Sequence, residues 1–167
     1  MSRNDIKIKD VAGYNVIPTR TYQVASGALT SIKAGEPVIM ATIGTNVAAA
    51  LVADADPTIG TDYILGLAAG DSTDTVAAVG TVEVYLPLPG VVYRGKAKSS
   101  TAADTASEIL ALANKRGIFD VTSGVITLDT AAADGATNGL IYTGTGDPAT
   151  NEVDFMISIR ATGNLGF

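Results

Sequence analysis

The chain's 167 residues suit one domain with a sizeable core, while a formal charge of −6 and a pI near 4.4 argue against a general affinity for nucleic acid, whose binding relies on Lys and Arg neutralising phosphates. Zero cysteines exclude disulfides, thiolate metal sites and cysteine nucleophiles, and zero histidines remove the commonest general base and metal ligand. The start, MSRNDIKIKD, lacks the apolar core of a secretory signal, and no run of about eighteen apolar residues could form a membrane-spanning helix, so the expectation is a soluble protein made in the cytoplasm with no membrane partner.

Eighteen glycines among many Thr, Val and Ala predict a mainly β fold, a barrel or sandwich of short strands joined by tight turns. Residues 1–21 show no sustained amphipathic period, and Gly13 and Pro18 interrupt any helix, so they read as an extended arm before a single β-rich domain over 22–167. Short strands are expected at 22–25, 38–41 and 47–53, the last two joined by a hairpin, and a buried apolar strand at 63–68. The Asp-, Ser- and Gly-rich loop over 69–80 leads into Val82, Val84, Leu86 and Leu88, whose period of two is that of a half-buried strand. Pro87 and Pro89 end that strand because each lacks the N–H a ladder requires, and an extended pattern resumes at 91–98.

One helix is expected, from Thr105 to about Arg116. Thr105 and Glu108 have capping-box spacing, Ala106, Ile109, Leu110 and Ala113 share a face, Lys115 and Arg116 suit the negative end of the dipole, and Gly117 supplies the stop. Beyond it come a hairpin of 118–121 and 125–128, a strand at 140–143, and the alternation Val153, Phe155, Ile157, Ile159. The order of strands and loops suggests an internal repeat of halves 22–98 and 117–160, whose closing strands, beginning at Val82 and Val153, each carry an acid after the first valine. The repeat predicts equivalent places for those two strands, as neighbours in one barrel.

No catalytic, cofactor or metal site is expected. The pairs Asp54 with Asp56 and Asp129 with Asp134 lack the spacing of a calcium loop and read as turns. The glycine-rich stretches lack a P-loop lysine and a following helix, and paired carboxylates lack an aromatic platform for sugars. Charge is nonetheless uneven: residues 41–90 hold six acids and no base, whereas Arg3, Lys7, Lys9 and Arg20 lie in the first twenty. Those four, with the alternating stripe Arg94, Lys96 and Lys98, are the candidate partner-binding residues. The stripe has a second reading, as lysines that keep an exposed edge strand from aggregating.

Four stretches, Ile32-Lys-Ala-Gly-Glu-Pro-Val38, Leu65-Gly-Leu-Ala-Ala-Gly70, Gly80-Thr-Val-Glu-Val-Tyr-Leu-Pro87 and Arg116-Gly-Ile-Phe-Asp-Val-Thr-Ser-Gly124, together resemble the β-rich head decoration, or cement, proteins of tailed bacteriophages. The resemblance spans roughly 22–159 in element order and rests on pattern, with no signature residue to carry over. It implies a non-enzymatic virion protein on the outer capsid surface, binding major capsid protein subunits at their junctions as a homotrimer. The arm would then lie along a neighbouring subunit and become ordered there. Two other classes fit a β-rich chain without reactive groups: a tail, baseplate or fibre component, and a glycan-binding module using tyrosines such as Tyr93 and Tyr142.

Overall fold

A computed structural model describes residues 6–24, 32–43, 46–51, 63–73, 75, 78–122, 125–131 and 138–158. The described residues are mainly β with one short helix: β1 (Lys7–Asp10), β2 (Thr19–Val24), β3 (Pro37–Ile43), β4 (Asn46–Leu51), β5 (Ile64–Ala68), β6 (Thr81–Tyr85), β7 (Val92–Lys96), α1 (Ala106–Ala111), β8 (Arg116–Thr122), β9 (Val125–Asp129), β10 (Leu140–Asp147) and β11 (Glu152–Ile157). Strands β2-β4-β3-β5-β6 close into a barrel, and β1-β7-β11-β10-β8-β9 form a six-stranded sheet. That sheet curls back on itself, because Ala97 bridges Leu128 in parallel and Lys98 N–H donates to the Leu128 carbonyl at 2.9 Å. Among the described residues no helix is long and apolar enough to cross a membrane.

The two bodies repeat one topology. In the first, a hairpin β3/β4 is followed by β5 on β3 and β6 on β5, and β2 lies antiparallel to β6 and parallel to β4. In the second, β8/β9, β10, β11 and β7 stand in the same relations. The match extends to single hydrogen bonds. Gly35 N–H to Ala68 C=O (2.9 Å) and Ala68 N–H to Glu36 C=O (2.8 Å) recur as Asn114 to Tyr142 (2.9 Å) and Tyr142 to Lys115 (2.9 Å). Val24 N–H to Gly80 C=O (3.0 Å) recurs as Ala97 to Asn151 (2.9 Å). Gly35 and Asn114, which enter β3 and β8, both have positive φ, 80° and 63°.

The expected closing strands, β6 and β11, thus occupy equivalent places, and Glu83 and Asp154 correspond. They are not neighbours in one barrel, however: β6 lies in the closed barrel and β11 in the six-stranded sheet. The repeat boundary also differs from the sequence reading, since β7 belongs with the second unit.

Within the expected N-terminal arm, the stretches 6–10 and 17–21 are part of the fold. Ile6 and Ile17 are buried in the core, β1 pairs with β7, and β2 starts at Thr19. Alternation in a four-residue strand is too brief to signal its pairing, and its partner lies far along the chain. The helix is also shorter than expected. Thr105 makes the predicted capping box with Glu108, but Leu112 is already the C-cap, and the left-handed Asn114 turns the chain into β8. Arg116 and Gly117 are consequently strand residues, no base stands in the last turn, and Leu110 faces solvent while Ile109 and Leu112 are buried.

Two apolar clusters divide the interior. Tyr22, Val24, Ile32, Val38, Leu65, Ala68, Val82 and Val84 fill the first barrel. The larger cluster combines Tyr93, Phe119, Leu128, Leu140, Tyr142 and Phe155 of the second with Ile64 and Leu67 of β5, so β5 joins the units. A bulge lets β5 serve both: register shifts opposite Val38 and Ile39, and all five of its residues are buried, as its continuous apolar run predicts.

Candidate interaction surface

Side chains of β7 alternate. Tyr93, Gly95 and Ala97 point inward and are buried, while Arg94, Lys96 and Lys98 point outward. The outward row meets acids of the same sheet. Arg94 lies opposite Asp154 on β11 and Lys96 opposite Glu152. Arg94 Nε and Nη2 donate to the two Asp154 carboxylate oxygens at 2.6 and 2.9 Å, with side-chain exposures of 18% and 4%, so the pair is largely withdrawn from solvent. Burial pushes the Asp154 pKa up, but the Arg94 bonds, a 2.8 Å bond from the Thr145 hydroxyl and the Arg94 and Lys9 charges outweigh it and hold the carboxyl below the usual range. Lys98 Nζ bridges Asp120 (2.7 Å) and Asp129 (3.3 Å), and the hydrogen bonds it donates to Asp120 and then Asp129 raise its pKa.

Most of the expected contact stripe is therefore an internal charge ladder. It does not protect an edge either, because β1 covers β7. Lys7 and Lys9 are exposed on β1, Lys96 is exposed on β7, and Arg20 is exposed on β2 with its guanidinium 5.4 Å from the Tyr22 ring centroid. Arg3 lies outside the described residues, as do Asp54, Asp56 and Asp134. Asp129 ties down its own strand end, its Oδ1 accepting from Ala131 N–H at 3.0 Å. No group of three or more acids able to hold a metal occurs among the described residues.

The two segments that cross between barrels run side by side. Leu86 N–H donates to the Pro18 carbonyl at 3.0 Å, and Ala12 lies against Gly90, so close that a Cβ there would sit 3.0 Å from the Ala12 Cβ. This seam exposes Tyr14 and Val16, the latter 76% accessible. A cleft of about 140 Å³ between β1 and the first barrel is lined by Ile6, Ile8, Leu67 and Tyr85, and is smaller than the roughly 300 Å³ typical of small-molecule sites.

Asn151 gives no functional signal in the sequence, yet it is a structural clamp. Buried at φ 56°, it donates from Nδ2 to the carbonyls of Ala97 (3.3 Å) and Ser99 (2.7 Å), and its Oδ1 accepts from Ala103 N–H (3.0 Å). Its position after Asp147-Pro148 in a turn is the available hint, since Asn tolerates the left-handed region better than most residues. Comparison with protein-family models, curated proteins and solved structures finds no match for this chain.

Proposed function

We propose that this chain is a structural virion protein that decorates the outer surface of a tailed-phage capsid and stabilises it by binding major capsid protein subunits. The observation that carries the reading is the duplication. One chain presents two units of the same strand order, a closed barrel and a curled sheet, joined by the shared core at β5 and the paired crossovers at Pro18 and Leu86. A pair of like units suits attachment to a lattice of repeated subunits, where several weak contacts made together give a strong one. The exposed Tyr14 and Val16 at the seam supply apolar contact area, and the pattern resemblance to cement proteins points the same way.

Location and effect are tested together. Particles purified on a density gradient are dissociated and their proteins identified, and capsids lacking the chain are heated with and without the purified protein. The reading requires the chain on intact heads, and a raised disruption temperature when it is added back. Recovery with tails alone, or addition without effect on the capsid, would refute it. Light scattering of the free protein tests the homotrimer, which a monomer mass would exclude.

A further inference from the structure

The barrels differ at the edge of the strand that closes each. The parallel contact is brief in both: Gln23 and Val24 against Ala48 and Ala49 in the first, Ala97 against Leu128 in the second. In the second barrel β1 lies against the rest of that edge, with Lys7 opposite Arg94 and Ile8 opposite Tyr93, and Tyr93 is fully buried. Superposing the two hydrogen-bond patterns places Thr19, Arg20 and Thr21 where Val92, Tyr93 and Arg94 stand in the second barrel. All three are exposed, and no described strand pairs with them on the side away from β6.

The direction of the free backbone groups follows from the ladder. Pro18 accepts from Leu86 and Val24 donates to Gly80, so the even-numbered residues of β2 bond to β6. The N–H and C=O of Thr19 and Thr21 therefore point away from β6, as those of Arg94 point toward β1. Charge adds a preference. Glu83, exposed and directly opposite Thr21, stands where Asp154 stands in the second barrel, and Asp154 feels the positive charge of Lys9 on β1.

We propose that the β2 edge at Thr19–Thr21 is a strand-addition site for an extended basic segment of a partner protein, laid antiparallel, with an apolar residue opposite Arg20 and Lys or Arg beside Thr19, where Lys9 stands in the second unit. The base approaches Glu83, and the apolar residue covers the Arg20–Tyr22 stack. β1 shows how such a segment fits the same topology, and the absence of any base in residues 41–90 favours a cationic strand. A second copy's β1 is a poor occupant, since moving it would uncover that copy's own Tyr93 for no net gain in pairing. This inference stands apart from any virion role.

The probe is a labelled peptide of residues 5–11, DIKIKDV, added to the full chain. Saturable one-to-one binding is expected, with amide exchange slowed at Thr19 and Thr21. Methylating the peptide backbone nitrogen at the Lys7 position removes its hydrogen bond while leaving the protein unaltered, and should weaken binding by at least about tenfold. Thr21→Pro should do the same from the other side, because it deletes an N–H that β6 does not use, and Glu83→Lys should weaken binding several-fold. The proposal is overturned by no binding, by affinity indifferent to N-methylation, by protection appearing at Val92–Arg94 through displacement of β1, or by self-association of the chain through this edge without peptide.

Discussion

Gly117 in β8 lies directly beneath the ring of Tyr142 in β10: a Cβ added to the glycine would sit 2.1 Å from the Tyr142 hydroxyl oxygen. The hydroxyl passes over it to donate to the Asp129 carbonyl on β9 at 3.1 Å, so one side chain ties three strands together. The equivalent pair in the first barrel is Val38 and Ala68, with the large residue on the other strand. The barrels thus fill the same space by opposite distributions of volume.

Gly117→Ala should accordingly destabilise by about 2–3 kcal/mol, since neither the backbone of β8 nor the buried ring can yield cheaply. The double variant Gly117→Val with Tyr142→Ala, which copies the first barrel, should be less damaging than the sum of its parts. Urea denaturation of the four proteins measures the coupling; strictly additive losses would show that the two residues do not share one space.

The Arg94–Asp154 pair predicts a specific acid limb. The Asp154 carboxyl is held below its unfolded value of about 3.9, so its contribution is complete above that pH and is lost as pH falls through the lower folded value. Stability of the native chain should fall in that window, and Asp154→Asn should flatten the fall. At neutral pH Asp154→Ala should cost about 3 kcal/mol by leaving Arg94 without its partner in a poorly solvated place. An unchanged acid limb in the Asn variant would remove the assignment.

Tyr93 carries a fully buried hydroxyl with no hydrogen-bond partner among the described residues, its ring stacked on Phe155 at 5.6 Å between centroids. Burial also raises its pKa, so the phenol stays protonated through the accessible range. Tyr93→Phe keeps the stacking and removes the unsatisfied group, and should raise stability by about 1 kcal/mol. A loss of that size would reveal a partner for the hydroxyl.

Asn151→Ala should cost roughly 2–4 kcal/mol, because it deletes three hydrogen bonds and puts a poorly suited residue at positive φ. Asn151→Gly separates the terms by restoring the backbone freedom alone. Thermal melts should rank native, Gly and Ala in that order; equal losses for Gly and Ala would assign the whole effect to the hydrogen bonds.

Local pattern sufficed for the elements whose code is local. The capping box at Thr105 and Glu108, the alternation in Val82-Glu-Val and Val153-Asp-Phe, and the unbroken apolar run of Ile64 to Ala68 each name their own structure. The repeat was legible in the order of strands and loops for the same reason. The end of the helix was not, because Asn114 adopts a left-handed conformation under the pull of a bond to Tyr142, a residue of another element.

The stripe Arg94, Lys96 and Lys98 marks the division. The sequence by itself determined that three cations share one face of one strand, since side chains alternate with period two whatever the fold. Only the tertiary structure decided that β11 and the β8/β9 hairpin bring Asp154, Asp120 and Asp129 against Arg94 and Lys98, pairing two of the three cations with the protein's own acids. Strand neighbours and register are long-range choices, set by which apolar faces can be buried together, and no window of sequence contains them. The same physics left Thr19–Thr21 exposed while β1 covered its counterpart: two edges made alike by topology, told apart only by where the N-terminal strand came to lie.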